Sequence, residues 1–102
     1  MSLIKHSRQL LVIITEASLE NSLIIDVKRI GAHGYTIYDV RGSGSSGEHE
    51  GAWEADRTIR MEVICDNATA EAIANHVMVS YSENYGLTLF FADVKVLRPQ
   101  KY

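Results

Sequence analysis

With 102 residues, 46% of them hydrophobic and 23% charged, the chain is sized for one domain that removes roughly two thirds of its unfolded surface from water. Its net charge of −3 supplies no basic field, which disfavours a nucleic-acid or anionic-membrane surface. A single cysteine, Cys65, excludes an internal disulfide and a cysteine-based zinc site and fits a reducing cytoplasm.

The first predicted element is "QLLVIIT", a continuous apolar, β-branched run of the kind that fills a central strand covered on both faces. Its apolar part is too short to span a membrane, and no signal-type cleavage site follows it, so the whole chain is expected to be the mature protein. Thr15 or Ser18 is expected to cap a helix in which Leu19, Leu23, Val27 and Ile30 recur at helical spacing, with Gly31 or Gly34 ending it. "YTIYDVR" reads as a second strand. After a Gly/Ser-rich loop, "TIRMEVIC" alternates as a third, with Ile59, Met61, Val63 and Cys65 on one face and Arg60, Glu62 and Ile64 on the other. A second helix over about 68–81 presents Ala70, Ile73, Val77 and Tyr81 on one side, with Asn67 or Thr69 as the expected cap. The last strand, "LTLFFADVKVLR", runs to Pro99.

The order β-α-β, loop, β-α-β predicts an α+β, ferredoxin-like βαββαβ domain over residues 1–102, with a four-stranded antiparallel sheet and both helices on one face. The other face is then left without cover from within the chain. Phe90, Val94 and Val96 share one side of the last strand and Leu89, Phe91 and Leu97 the other, so apolar surface would meet water unless other copies covered it, and a cyclic oligomer is expected.

"GSGSSG", residues 42–47, has the glycine spacing of a dinucleotide fingerprint, but that fingerprint works where a strand leads into a helix whose N-terminus holds a pyrophosphate. Here the glycines run into acidic "EHEGAWEADR" and on to another strand. What remains is a set of small residues, Gly42, Ser43 and Gly44 among them, whose N–H groups could converge on an anion beside Arg41. A ligand-free Gly/Ser hairpin connection is the competing reading. Glu48, His49 and Glu50 are adjacent in an extended stretch and point to opposite sides, so no metal site is expected. His6, His33 and His76 are scattered, and no nucleophile, base and orienting group assemble into an enzyme site.

"GAHGYTIYDVRGSG" and "TIRMEVIC" resemble the segment entering the T-loop, and the third strand, of PII signal-transduction proteins, and "LFFADVKVLR" resembles their closing strand. The likeness covers nearly the whole chain. It implies a homotrimer binding the adenine nucleotides ATP, ADP and AMP as ligands, with no cofactor, in clefts between subunits, and a flexible T-loop at about 43–57. Carried across, it places Thr36 at the adenine region and brings Gly42 and Gly44 N–H groups to the phosphates. Glu62 and Ile64 lie beside the nucleotide, and Arg98 reaches the phosphates from the neighbouring subunit. Without the likeness, Thr36 is a β-branched strand residue, Glu62 an exposed strand charge, Ile64 core, and Arg98 a solvated cation.

The turn "NYGL" keeps Gly86 of the family's phosphate-gripping turn but has Leu87 in place of its lysine, and Ser46 stands where nitrogen-sensing members have a glutamine. "GAHGYT" and "YSENYGLTLFFADVKVL" look closer to the SbtB-type and carboxysome-associated PII-like regulators of inorganic-carbon metabolism, some of which respond to bicarbonate. The likeness therefore implies a cytoplasmic sensor whose loop orders on ligand binding and is read by a partner, such as a bicarbonate transporter or a carboxysome-related protein, with Trp53 as a candidate anchor. Two rivals share the topology: a CutA-like metal-tolerance trimer, and an acylphosphatase-like enzyme, for which Arg41 is the one candidate.

Overall fold

The computed structural model describes residues 2–44, 47–48 and 57–102, with residues 43, 44, 47 and 48 described through their backbone alone. In chain order the elements are β1 (His6–Glu16), α1 (Glu20–Ile30), β2 (Thr36–Val40), β3 (Ser43–Gly44), β4 (Gly47–Glu48), β5 (Thr58–Cys65), α2 (Asn67–Tyr81) and β6 (Leu87–Val96). The main sheet runs β2-β5-β1-β6 with every neighbouring pair antiparallel, which is the expected ferredoxin-like arrangement. β3 and β4 form a separate two-residue ladder, a small addition at the base of the long connection.

The apolar run of β1 makes it a central strand: Leu11, Val12 and Ile13 are all fully buried, but the expected cover on both faces is met on one only, since Leu10 and Ile14 on the face away from the helices are half-buried. Its odd-numbered residues face the helices. Leu11 pairs with Val63 and Phe91, and Ile13 with Met61 and Leu89; Leu23 and Val27 of α1 and Ala70, Ile73 and Val77 of α2 close over them in one core. β5 alternates as read, burying Ile59, Met61, Val63 and Cys65. Burial, with Asp66 nearby, pushes the Cys65 thiol up to about 11, so it is an inert core residue and not a nucleophile.

The helix ends differ from the sequence reading. Neither Thr15 nor Ser18 caps α1, because β1 continues to Glu16 and the chain enters the helix through a 3-10 turn at Ala17–Leu19. The Thr15 hydroxyl is instead donated to the Gly86 carbonyl at 2.7 Å. Gly31 does end α1, at φ 126°, a backbone state that L side chains rarely adopt. Asp66 caps α2 in place of Asn67 or Thr69, its Oδ1 accepting the Thr69 N–H at 2.7 Å. The helices are tied by the Tyr81 hydroxyl, which donates to Asp26 at 2.5 Å, and by His76, 3.1 Å from the same carboxylate oxygen.

Candidate functional site

The even-numbered residues of β1 face away from the helices, and the cross-strand register carries that face across the sheet. Thr36 stands opposite Glu62 and Tyr38 opposite Arg60, while Glu62 pairs with Val12, Ile64 with Leu10, and Val12 with Phe90. Glu62 is held from two sides: its Oε2 accepts from the Tyr38 hydroxyl at 2.7 Å and from Arg60 Nε at 3.0 Å. The hydrogen bond from Tyr38 and then the Arg60 guanidinium hold the Glu62 carboxyl below its ordinary range, and the same hydrogen bond raises Tyr38. The Arg60 guanidinium also lies 5.6 Å from the Phe90 ring centroid, a cation–π contact. Glu62 is therefore a fixed side chain. Tyr38 and Arg60 were not picked out from the sequence, although each lies two residues from a candidate and so on the same face.

One end of the sheet gathers the loop base and the turn before β6. Val40 pairs with Thr58, and Thr58 with Glu16; Arg41 and Gly42 follow Val40 directly and both are exposed. The Ala17 N–H donates to the Arg57 carbonyl at 2.8 Å, and Arg57 pairs with Asp39 at 3.4 Å. Ser43 and Gly44 continue from Gly42 as β3, opposite Glu48 and Gly47, so the strand entering "GSGSSG" leads into a ladder and not a helix. Gly86 lies at this end too. Its N–H donates to Glu16 Oε2 at 3.1 Å while its carbonyl takes the Thr15 hydroxyl. A Cβ at Gly42 or Gly86 would meet nothing within 4 Å, so the chain's own packing does not demand glycine at either position.

Arg98 lies at the opposite end, two residues past β6. It opens a 3-10 turn, Pro99–Lys101, held against β1 by Arg8, whose Nη2 donates to the Pro99 carbonyl at 3.2 Å and whose Nε donates to the Tyr102 carbonyl at 3.3 Å. A recess of about 300 Å³ beside this turn is lined by Ser7, Gln9, Asp93 and Lys95 among others. Those side chains bond one another, Gln9 to Asp93 and Lys95 to Ser7. One protomer therefore brings Arg41, Gly42, Gly44 and Gly86 to one end, sets Thr36, Glu62 and Ile64 on the bare face, and holds Arg98 apart. Trp53, His49, Glu50 and Ser46 lie outside the described residues. Among the described residues no group of three or more His, Cys, Asp or Glu is placed to hold a metal, and no helix is long and apolar enough to cross a membrane.

Comparison with known proteins gives a consistent result. The family described as nitrogen regulatory protein P-II matches residues 8–101. A proposed PII-like signalling protein from Thermus thermophilus superposes with a TM-score of 0.85 at 34% identity, covering 98% of this chain and 99% of that one. CPII, a nitrogen regulatory PII-like protein from Thiomonas intermedia bound to ADP, AMP and bicarbonate, superposes with a TM-score of 0.88 at 25% identity, covering 98% and 97% of the two chains. CPII bound to ADP and bicarbonate gives 0.87 at 25% identity, covering 98% of each chain.

Proposed function

The chain belongs to the nitrogen regulatory protein P-II family, whose members are regulatory signalling proteins and not enzymes, and from that premise we propose that it senses adenine nucleotides, with bicarbonate as a further ligand. In this reading residues 1–102 form one domain of a homotrimer, and the nucleotide lies in a cleft between subunits. Thr36, Glu62 and Ile64 flank the nucleoside, Arg41, Gly42, Ser43, Gly44 and Gly86 meet the phosphates from one protomer, and Arg98 meets them from the next. The segment 43–57, with Trp53, changes state with the ligand and is read by a partner protein in the cytoplasm. The regulated process is inorganic-carbon metabolism, as in the SbtB-type and carboxysome-associated regulators.

The observation that carries the reading is the likeness to CPII, whose bound ADP, AMP and bicarbonate are the ligand set proposed here. The geometry supports a shared cleft. Gly86 and Arg98 flank the ten residues of β6, which at about 3.3 Å each separate the two by roughly 30 Å or more. A single nucleotide cannot touch both within one protomer. Two copies arranged head to neighbour remove that obstacle.

Calorimetric titration of the purified protein with AMP, ADP and ATP, each with and without bicarbonate, tests the reading. At least one nucleotide binds, at one site per protomer, and bicarbonate changes its affinity. Arg98→Ala weakens ADP by about 30-fold, as loss of a charge-assisted phosphate contact of about 2 kcal/mol requires. No binding of any adenine nucleotide overturns the reading; binding that Arg98→Ala leaves unchanged removes Arg98 from the site.

A further inference from the structure

Gly86 is gripped through both its N–H and its carbonyl by consecutive residues of β1. Thr15, itself 2% exposed, donates its hydroxyl to the Gly86 carbonyl, and Glu16 accepts the Gly86 N–H on Oε2 at 3.1 Å. The acceptor on that N–H is thus an anion. The following residue, Leu87, is apolar and packs against the core, so the turn carries no cation at this place. Glu16 also sits opposite Thr58, whose other neighbour, Val40, leads into Arg41 and the glycines of the loop base. Of the two arginines flanking the long loop, Arg57 already pairs with Asp39 at 3.4 Å.

We infer that Glu16 is a specificity-determining residue that biases the nucleotide site against the ligand with the most phosphate charge, favouring AMP and ADP over ATP. The inference rests on the reading that the Gly86 turn and the loop base hold the phosphates. A phosphate oxygen approaching the Gly86 N–H competes with a carboxylate already bonded there. Either Glu16 withdraws and its hydrogen bond is lost, or it stays and two anions face each other. Both costs rise with the charge brought to the turn, so they fall least on a monophosphate and most on a triphosphate.

The test compares the wild-type protein with Glu16→Gln by calorimetry in EDTA at fixed ionic strength, with AMP, ADP and ATP as ligands. Glutamine keeps an oxygen acceptor for the Gly86 N–H, so the turn is held while the charge is removed. The ratio of ATP to AMP affinity rises by about tenfold in Glu16→Gln, with AMP affinity itself changed by less than about threefold, the scale of one screened like-charge contact. Glu16→Asp, which keeps the charge, retains the wild-type ratio, and Glu16→Ala shifts it as Gln does should the Gln variant fail to fold. Intact AMP or ADP binding with an unchanged ratio, or a weakened ATP in Glu16→Gln, overturns the role of Glu16 and leaves the nucleotide reading standing. If no nucleotide binds the wild-type protein, the nucleotide reading fails and this inference with it.

Discussion

Tyr38 and Arg60, on neighbouring strands, converge on a single carboxylate oxygen of Glu62, so a side chain that would otherwise sample several rotamers has one position on the sheet face. Their hydrogen bonds and the Arg60 charge hold the Glu62 carboxyl below its ordinary value near 4.5, Tyr38 contributing most. A carboxyl depressed on folding stabilises the fold at pH above its unfolded pKa, and that contribution is lost as pH falls through the lower folded value. Tyr38→Phe therefore raises the Glu62 titration toward the ordinary value and moves the loss of this contribution to higher pH, which carbon-13 NMR of the Glu62 carboxyl follows directly; a titration that does not move assigns the shift to Arg60 alone. The place of Glu62 on the bare face was legible from the alternation of "TIRMEVIC", but its partners were not. Alternation says which residues share a face, whereas the pairing of Tyr38 with Arg60 is a matter of register, which alternation within one strand leaves open. The same limit hid the Gly86–Glu16 contact, which joins residues 70 positions apart.

At the scale of elements, the sequence patterns placed all four main strands and both helices, because the strongest of them are the direct imprint of a core face: "QLLVIIT" of a central strand between two neighbours, Leu19-Leu23-Val27 of a helix stripe, Ile59-Met61-Val63-Cys65 of a half-buried strand. The ends were less legible. "DNAT", residues 66–69, offers four residues of which Asp, Asn and Thr can all cap, and spacing alone does not choose among them. Asp66 serves because it is the one left in extended backbone, at ψ 164°, with its carboxylate within reach of the Thr69 N–H. A charge at this end also suits the helix dipole, and the bond from Thr69 holds the Asp66 carboxyl below its ordinary range. Asp66→Ala is expected to cost about 1 kcal/mol, or a fall of roughly 4–8 °C in melting temperature for a domain of this size, whereas Asn67→Ala changes stability by no more than a few tenths of a kcal/mol. Thermal denaturation followed by circular dichroism decides it, and equal effects of the two substitutions would return Asn67 to the cap.

For the whole molecule, the decisive asymmetry is that α1 and α2 cover one face of the sheet and no element among the described residues covers the other. Leu10, Val12, Ile14, Ile64, Phe90, Ala92 and Val94 share that bare face. It is not wholly wet: Val12 is fully buried within one protomer, and Arg60 lies over the Phe90 ring. Phe90 nevertheless remains 40% exposed, an apolar surface of the kind that marks an interface. If copies of the chain close over this face, assembly and nucleotide binding become one property in the proposed reading, which draws Gly86 from one protomer and Arg98 from another. Phe90→Asp separates these consequences from folding. The side chain it replaces is half in solvent, and Arg60 stands ready to pair with the new carboxylate, so the isolated protomer keeps its circular dichroism spectrum. Burying that charge between copies is costly, since an interface charge lacks the water it has in the free protomer. The wild-type protein should sediment as a trimer and Phe90→Asp as a monomer, and the monomer should bind ADP as weakly as Arg98→Ala does. A Phe90→Asp protein that sediments as the wild type does would move the contact between copies to another surface, and a monomer that binds ADP with full affinity would place the nucleotide within a single protomer.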